Sequence, residues 1–211
     1  MKLVDKSLRE FSEVLSSEVP APGGGSTAAL GGALGAALLG MVASLTIGRV
    51  RYAESEQLMK EAMKRAENLR LQLLDIIDRD TEAYNVVTKV FAMPKGTDDE
   101  KAARNAAMQD ALKACTLTPF EMMECSLKAL KLAGEMFGRS NVNAASDLGV
   151  AVLNLKASAQ GAWLNVLINL DGIKDEIFSA KYTIAGSELI KSISELADNI
   201  YNEILRSLLP K

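Results

Sequence analysis

The fold is decided by residues 58–91, LMKEAMKRAENLRLQLLDIIDRDTEAYNVVTKVF. Apolar side chains recur along this stretch at steps of three and four residues, the spacing that keeps one face of an α-helix turned toward a core. The members of this stripe are Leu58, Ala62, Ala66, Leu69, Leu73, Ile76, Tyr84, Val87 and Phe91. The pattern predicts one long amphipathic helix with a single buried face.

One position of this stripe carries a carboxylate, because Asp80 stands between Ile76 and Tyr84 where a hydrophobic residue is expected. A buried, unpaired charge costs on the order of several kcal/mol. Asp80 must therefore find a partner, lose its charge or line a cavity, whereas the neighbouring Asp75 and Asp78 fall on other faces of the helix. A second carboxylate in apolar surroundings, Asp147, follows later, and together the two suggest a site.

The rest of the chain also has helical periodicity, and no segment shows the alternation of a strand. We expect an all-α protein, a single-domain helical bundle over residues 1–211 with long antiparallel helices, six to seven in number. Pro94 should end the long helix, and Pro119 should open a new one. The expected segments are a first helix to about 17, then 26–48, 58–93, 98–118, 119–138, 143–170 and 175–208.

Composition excludes several classes of function. The formal net charge of −3 offers no basic field for nucleic acid. There is no histidine, so acid–base chemistry must fall to Asp, Glu, Lys, Tyr or Cys. Cys115 and Cys125 match neither a disulfide framework nor a zinc ribbon, which predicts a reducing, cytoplasmic location and no metal site. The N-terminus lacks the pattern of a signal peptide.

Residues 19–48 carry no charged side chain and are rich in Ala, Gly and Leu. They include the motif Gly31-x-x-x-Gly35. By length alone this segment is able to span a bilayer. Five glycines from Gly31 to Gly48 and the amphipathic remainder of the chain instead favour a central helix of a soluble protein. Its small side chains would let neighbouring helices, or a second subunit, approach closely.

Gly23, Gly24, Gly25 and Ser26 form a glycine-rich turn before that helix. Glycines permit close backbone approach, and the free amides at a helix start attract anionic or carbonyl oxygens. Ser26 can cap the helix. A plain tight turn is at least as good an explanation, and the sequence is not a P-loop because no Lys-Ser/Thr follows at the required spacing.

A polar stripe runs along the largely uncharged helix predicted for residues 143–170. Its spacing of seven, four, seven and four residues places it on one face. The stripe either hydrogen bonds neighbouring helices or lines a cleft that reads a heterocycle. Its members are Asp147, Asn154, Ser158, Asn165 and Asn169.

Basic residues collect after two of the predicted helices, namely Arg49 and Arg51 after the small-residue helix and Lys89 and Lys95 near the end of the long one. Solvated helix ends usually explain such residues. If they border the same cleft, they are able to hold a carboxylate tail.

Several motifs of this sequence resemble those of the cyclodeaminase/cyclohydrolase family of folate enzymes. They occur in the same order as in the family, and the resemblance covers about residues 5 to 205. The most specific is Pro20-Ala-Pro-Gly-Gly-Gly-Ser26, followed by Met41-Val-Ala-Ser-Leu-Thr-Ile-Gly-Arg49. Further matches are Asp80 with Ala83, Met93-Pro-Lys95, Arg104, Pro119, Ser146-Asp147 and Gly161-Ala-Trp-Leu-Asn-Val-Leu-Ile-Asn169.

The resemblance implies an all-helical homodimer or higher homo-oligomer that acts on tetrahydrofolate carrying one carbon between two nitrogens. One associated activity is methenyltetrahydrofolate cyclohydrolase, which gives formyltetrahydrofolate. The other is formimidoyltetrahydrofolate cyclodeaminase, which closes the bridge and expels ammonia. Because a formimidoyltransferase domain often accompanies the cyclodeaminase and none is found here, we expect the cyclohydrolase.

The resemblance also assigns roles to the residues. Asp80 and Asp147 are the candidate catalytic carboxylates, which would separate in pKa if they face one cleft. The candidate substrate-binding residues are Gly23, Gly24, Gly25 and Ser26 at the pterin or the bridge, Asn165 and Asn169 as polar readers, and Arg49 and Lys95 near the glutamate tail. No metal is expected, and no cofactor beyond tetrahydrofolate as the substrate carrier.

A non-enzymatic alternative stays open at this point. In that alternative the chain is a helical oligomerisation module, and Asp80 is paired with Arg49 or Arg104 in a buried network. Structural networks also perturb carboxylates.

Overall fold

The computed structural model describes residues 2–210, and within them it contains helices and turns but no strand. Three 3₁₀ turns, Leu3–Asp5, Val50–Ser55 and Val142–Ala144, connect the longer elements. The all-α bundle predicted from the periodicity is confirmed. The α-helices are α1 Leu8–Leu15, α2 Gly24–Ser44, α3 Glu56–Phe91, α4 Asp98–Met136, α5 Ala145–Asp171 and α6 Glu176–Leu208.

Four long helices form the centre, with α2 and α4 each packed between α3 and α5. Consecutive helices run antiparallel, as their contacts show. The start of α2 meets α3 at Ile77 through Ser26, whereas Gly40 near the end of α2 lies against Ala66, closer to the start of α3. Between α3 and α4, Arg65 meets Glu135 and Arg79 meets Glu121. Helix α6 covers the outer side of α4 and α5. The core lies between these layers, and the outer side of the α2–α5 pair has no helix over it.

Helix α2 lies in the core because its small side chains admit its neighbours. A Cβ added at Gly35 would lie 3.0 Å from the Ala151 carbonyl oxygen of α5, and one at Gly32 would lie 2.6 Å from Ser158 Oγ. Among the described residues, α2 is the one helix long and apolar enough to cross a membrane, and half of its apolar window is buried within the bundle. This burial supports the interpretation of α2 as a central packing helix.

Helix starts and stops follow the sequence closely. Thr97 and Glu100 form a capping box at the start of α4, and Asp175 caps α6. Helix α3 ends at Phe91, before Pro94. Helix α2 begins at Gly24, two residues earlier than expected, because the glycines enter the first turn.

The prediction that Pro119 opens a helix is wrong, because α4 continues through it from Asp98 to Met136. A proline inside a helix leaves the carbonyl four residues earlier without its helical donor. Here that carbonyl belongs to Cys115, and the side chain of Asn169 in α5 donates to it at 2.9 Å. The lost helical bond is thereby replaced by a bond between helices, and it fixes the orientation of Asn169.

Candidate active site

A cleft of about 310 Å³ lies where the start of α2, the middle of α3 and the end of α5 meet. This volume is at the lower end of the range for small-molecule sites, which is about 300–1,000 Å³. The cleft brings together six of the residues selected from the sequence: three glycines, Asp80 and two asparagines. Its lining residues are Pro20, Ala21, Gly23, Gly24, Gly25, Asp80, Thr81, Tyr84, Cys115, Asn165, Ile168 and Asn169.

The Asp80 carboxylate lies directly against the first turn of α2. A Cβ added at Gly25 would collide with both Asp80 oxygens and with the carboxyl carbon at 2.6 Å, so only glycine leaves room for the carboxylate. Gly24 has no such restriction, since its nearest neighbour would be Asn165 Nδ2 at 3.8 Å. The glycine-rich turn is therefore a close approach between backbone and carboxylate, and Gly25 is the residue that permits it.

Ser26 connects the carboxylate to the surrounding helices. Its hydroxyl oxygen lies 3.1 Å from Asp80 Oδ2, 3.2 Å from the Ile77 carbonyl oxygen and 3.2 Å from Thr81 Oγ1. A hydroxyl has one proton to donate and accepts on its lone pairs. Ser26 can donate to an ionised Asp80, or accept from a protonated Asp80 while donating to Ile77. Both charge states of the carboxylate thus have a hydrogen-bond partner.

The pKa of Asp80 is raised above its ordinary value. Burial of the carboxylate raises the pKa, and the hydrogen bonds from the Ser26 side chain and backbone lower it without offsetting the effect of burial. No ion pair involving Asp80 occurs within residues 2–210. A carboxylate with a raised pKa and both charge states hydrogen bonded is suited to taking and returning a proton.

The pairing of Asp80 with Arg49 or Arg104 is wrong for the part of the chain that the structure describes. Arg104 donates to the Val90 carbonyl oxygen at 3.1 Å. Arg49 lies beyond the opposite end of α2, about 30 Å from Gly25 along the helix axis at 1.5 Å per residue.

Two amide side chains face the cleft from the last turns of α5. Asn169 Nδ2 donates to the Cys115 carbonyl oxygen and, at 2.8 Å, to the Asn165 carbonyl oxygen, so both of its hydrogens are used. Asn165 Nδ2 donates to the Gly161 carbonyl oxygen at 2.8 Å. Within residues 2–210 no donor bonds the amide oxygen of either side chain, so each oxygen can accept a hydrogen bond from a bound heterocycle.

The polar stripe on α5 was predicted either to line a cleft or to hydrogen bond neighbouring helices, and different members of the stripe do each. Asn165 and Asn169 line the cleft, whereas Ser158 is buried beside Ser126 of α4, with 3.4 Å between the two hydroxyl oxygens. Asn154 donates to the Val150 carbonyl oxygen of its own helix. Asp147 is half-buried at the first turn of α5, about 27 Å from Asn165 along the axis.

Four predicted residues therefore lie outside the lining of the cleft of one chain, and one of them, Ser26, is fully buried against Asp80. Arg49 borders a separate surface cavity with Arg51 and residues 141–143, at the end of the bundle where Asp147 also lies. Lys95 is exposed in the connection between α3 and α4. Asp80 and Asp147 do not share a cleft within the chain, because helix α5 separates them by most of its length.

Four cleft residues were missed by sequence reasoning: Thr81, Tyr84, Cys115 and Ile168. Tyr84 belongs to the same helical stripe as Asp80, which was the available signal. Cys115 comes from α4 and gives no local signal. Burial, with a smaller effect from the charge of Asp80, raises the pKa of the Cys115 thiol to about 11, so it stays protonated at neutral pH. Within residues 2–210, no three Cys, Asp or Glu side chains cluster as metal ligands.

Comparisons with known proteins identify the family. A family model described as formiminotransferase-cyclodeaminase matches residues 7–185. The chain is 38% identical over 200 residues to a methenyltetrahydrofolate cyclohydrolase of Methylorubrum extorquens, covering 95% of this chain and 96% of that one. It is 34% identical over 179 residues to the formimidoyltransferase-cyclodeaminase of Rattus norvegicus, covering 85% of this chain and 33% of the rat protein.

A solved structure has the same fold. The formiminotetrahydrofolate cyclodeaminase of Thermotoga maritima superimposes with a TM-score of 0.81 at 28% identity, covering 97% of this chain and 96% of that one. The named relatives are enzymes, which removes the support for a purely structural module. The family match over most of the chain, together with a relative similar along nearly its whole length, shows that this chain belongs to the formiminotransferase-cyclodeaminase family.

Proposed function

We propose that this protein is a methenyltetrahydrofolate cyclohydrolase, which hydrolyses the methenyl bridge of 5,10-methenyltetrahydrofolate to 10-formyltetrahydrofolate. The observation that carries the proposal is the 38% identity to a protein of that name over 96% of its length. The cleft supports it, because Asp80 offers a carboxylate with a raised pKa beside amide oxygens suited to a heterocycle.

The reaction requires proton transfers at one carbon. Water adds to the cationic bridge carbon and loses a proton, which leaves a neutral tetrahedral adduct. The bond from that carbon to N5 then breaks, N5 receives a proton, and the hydroxyl of the adduct loses its own proton as it becomes the formyl carbonyl. The sum is substrate cation plus water giving formyltetrahydrofolate plus one proton.

Asp80 is the residue that we assign to these transfers. As a carboxylate it stabilises the bridging cation and takes a proton from the attacking water, and as the acid it returns a proton to N5. General acid–base catalysis of this kind contributes about 10²–10⁴ in rate. Ser26 keeps both charge states of Asp80 hydrogen bonded, and the remaining free amides in the first turn of α2 favour the oxygen that becomes the formyl group.

The pterin ring is assigned to Asn165 and Asn169, whose amide oxygens accept hydrogen bonds. Tyr84, 40% exposed at the rim of the cleft, offers an aromatic face for the ring system. No metal and no cofactor beyond the tetrahydrofolate carrier takes part in this scheme, which needs only proton transfer at the bridge carbon.

Cyclodeaminase activity is the second candidate. It is favoured by the structure of the Thermotoga maritima cyclodeaminase, since the structural match covers 96% of that chain. In that reaction N10 attacks the formimidoyl carbon on N5, and ammonia leaves after receiving a proton. The same carboxylate serves both reactions, since each passes through a tetrahedral adduct at the same carbon. The products distinguish them.

The protein is further proposed to work as a homodimer in the cytoplasm, where its two free cysteines, Cys115 and Cys125, stay reduced. The outer side of the α2–α5 pair supports the dimer, because it exposes an apolar face with no helix over it. This α2–α5 face consists of Leu34, Met41 and Leu45 of α2 and Val150, Leu153, Leu164, Leu167 and Ile168 of α5, each 39–73% exposed.

The function is tested by a paired spectrophotometric assay of the purified protein near neutral pH. One arm follows loss of methenyltetrahydrofolate above its spontaneous hydrolysis, and the other follows methenyl formation and ammonia release from formimidoyltetrahydrofolate. We expect rapid hydrolysis, and we expect Asp80→Asn to lose about 10²–10⁴ of it. Ammonia release without hydrolysis would make the protein a cyclodeaminase instead, and inactivity in both arms would refute both assignments.

A matched pair of glycine variants tests the close approach in the cleft. Gly25→Ala pushes the Asp80 carboxylate aside, and because a side-chain end yields more easily than backbone, we expect kcat to fall at least about tenfold with little change in Tm. Gly24→Ala, which meets nothing closer than 3.8 Å, should retain most of the activity. Equal activities for the two variants would contradict the assigned position of Asp80.

The raised pKa of Asp80 also predicts a pH dependence of stability. The folded state binds the Asp80 proton more tightly than the unfolded state, so this group destabilises the fold increasingly as pH rises from the unfolded pKa through the folded one. We expect Asp80→Asn to have a Tm equal to or above wild type at pH 8, with the gap closing toward about pH 4. Calorimetry across this range measures it, and a variant less stable at pH 8 would indicate that the charge is stabilising.

A further inference from the structure

We propose that the active site is completed by a second copy of the chain, with Arg49 and Arg51 of the partner subunit closing the cleft that contains Asp80. The proposal deepens the function assigned above and rests on it, because the arginines are to hold the carboxylate tail of the same folate substrate. The geometry that points to it is the position of two complementary features at opposite ends of one exposed apolar face.

The cleft and the apolar face are continuous. Ile168 lines the cleft and, at 73% exposure, is also the most exposed large residue of the α2–α5 face. A copy that covers this face therefore reaches the mouth of the cleft. The cleft by itself is small, about 310 Å³, and none of its lining residues is a lysine or an arginine, so one chain provides no cation for an anionic tail.

Positive charge lies at the opposite end of the α2–α5 pair. Arg49 and Arg51 are exposed just after α2, in the connection to α3, and neither forms an ion pair within the described residues. They border a surface cavity of about 360 Å³ together with residues 141–143 before α5. One end of the face thus has an acidic cleft without cations, and the other end has two cations without an ion-pair partner, of which Arg51 lies 5.7 Å from the centre of the Tyr52 ring.

Symmetry decides how two copies combine these ends. Most homodimers have a two-fold axis, and each patch then meets its equivalent on the partner. An axis parallel to α2 and α5 would place the arginines of both copies together, which is electrostatically unfavourable. An axis perpendicular to the face places each cleft beside the partner's Arg49, and it conceals the apolar side chains of both copies.

This arrangement also accounts for the separation of the two candidate carboxylates. Asp147 lies at the arginine end of its own chain, about 27 Å along α5 from the cleft. Across the perpendicular axis, the partner's Asp147 comes to the same end of the face as Asp80. The residues selected from the sequence then form two sites per dimer, each built from both chains.

Subunit complementation tests the proposal. One chain carries Asp80→Asn, the other carries Arg49→Ala with Arg51→Ala, and two different affinity tags allow purification of the mixed dimer. Loss of the arginines should raise KM about tenfold, as expected for lost bonds to a charged group. At substrate concentrations below KM the mixed dimer has one intact site of two, so we expect about half of wild-type turnover, well above either parent.

The matched control is a mixed dimer of Asp80→Asn with Gly25→Ala. Both changes affect the same side of the site, so each of the two sites keeps one defect and turnover should stay at the level of the parents. Recovery in this control would refute the assignment of sides. A mixed dimer with the arginine variants that recovers nothing, or arginine variants with wild-type KM, would overturn the shared site.

Cross-linking tests the geometry without catalysis, so failure of the shared site is distinguishable from failure of the proposed function. A chain with both Ile168→Cys and Val50→Cys should be joined to its partner by a flexible bifunctional maleimide, since Val50 is 93% exposed beside Arg49. Chains with either change alone should not be joined. Joining through Ile168→Cys alone, or a monomeric protein in solution, would overturn the proposed arrangement.

Discussion

The structure depends on one close contact, the Asp80 carboxylate against the first turn of α2. A carboxylate in a buried stripe needs room and hydrogen bonds, and here Gly25 provides the room and Ser26 provides the bonds. The same contact fixes how α2 meets α3, which in turn sets the position of α5 and its two asparagines. Burial without an ion pair leaves the pKa of Asp80 raised, and this property makes the contact chemically useful.

Much of this arrangement was predictable because helical periodicity is a strong local signal. The long stripe through α3 predicted both the helix and the exceptional position of Asp80, and the glycine-rich segment was expected just before α2, although two of its glycines form part of the first turn. The prediction that Pro119 opens a new helix was wrong, because a side chain of another helix replaces the hydrogen bond that the proline removes. Local sequence predicts the cost of a proline in a helix, but it does not reveal that Asn169 donates to the released Cys115 carbonyl.

The site residues divide for a similar reason. Gly25, Asp80, Asn165 and Asn169 converge. The roles predicted for Arg49 and Asp147 required them to face the same cleft, and within one chain α2 and α5 hold both at the far end. A periodic pattern shows which face of a helix a residue lies on, but it does not show which ends of different helices meet in the fold. The proposed two-fold arrangement joins these ends across subunits, which no pattern within a single chain is able to express.

The central claim is that the one-carbon bridge of a folate lies at the Asp80 carboxylate in the cleft between α2, α3 and α5. A crystal structure with bound formyltetrahydrofolate measures this directly. Our account predicts the formyl carbon within one water molecule of Asp80, the pterin edge on Asn165 or Asn169, and the glutamate tail directed to the α2–α5 face. A folate bound elsewhere, with no group of the substrate near Asp80, would contradict it.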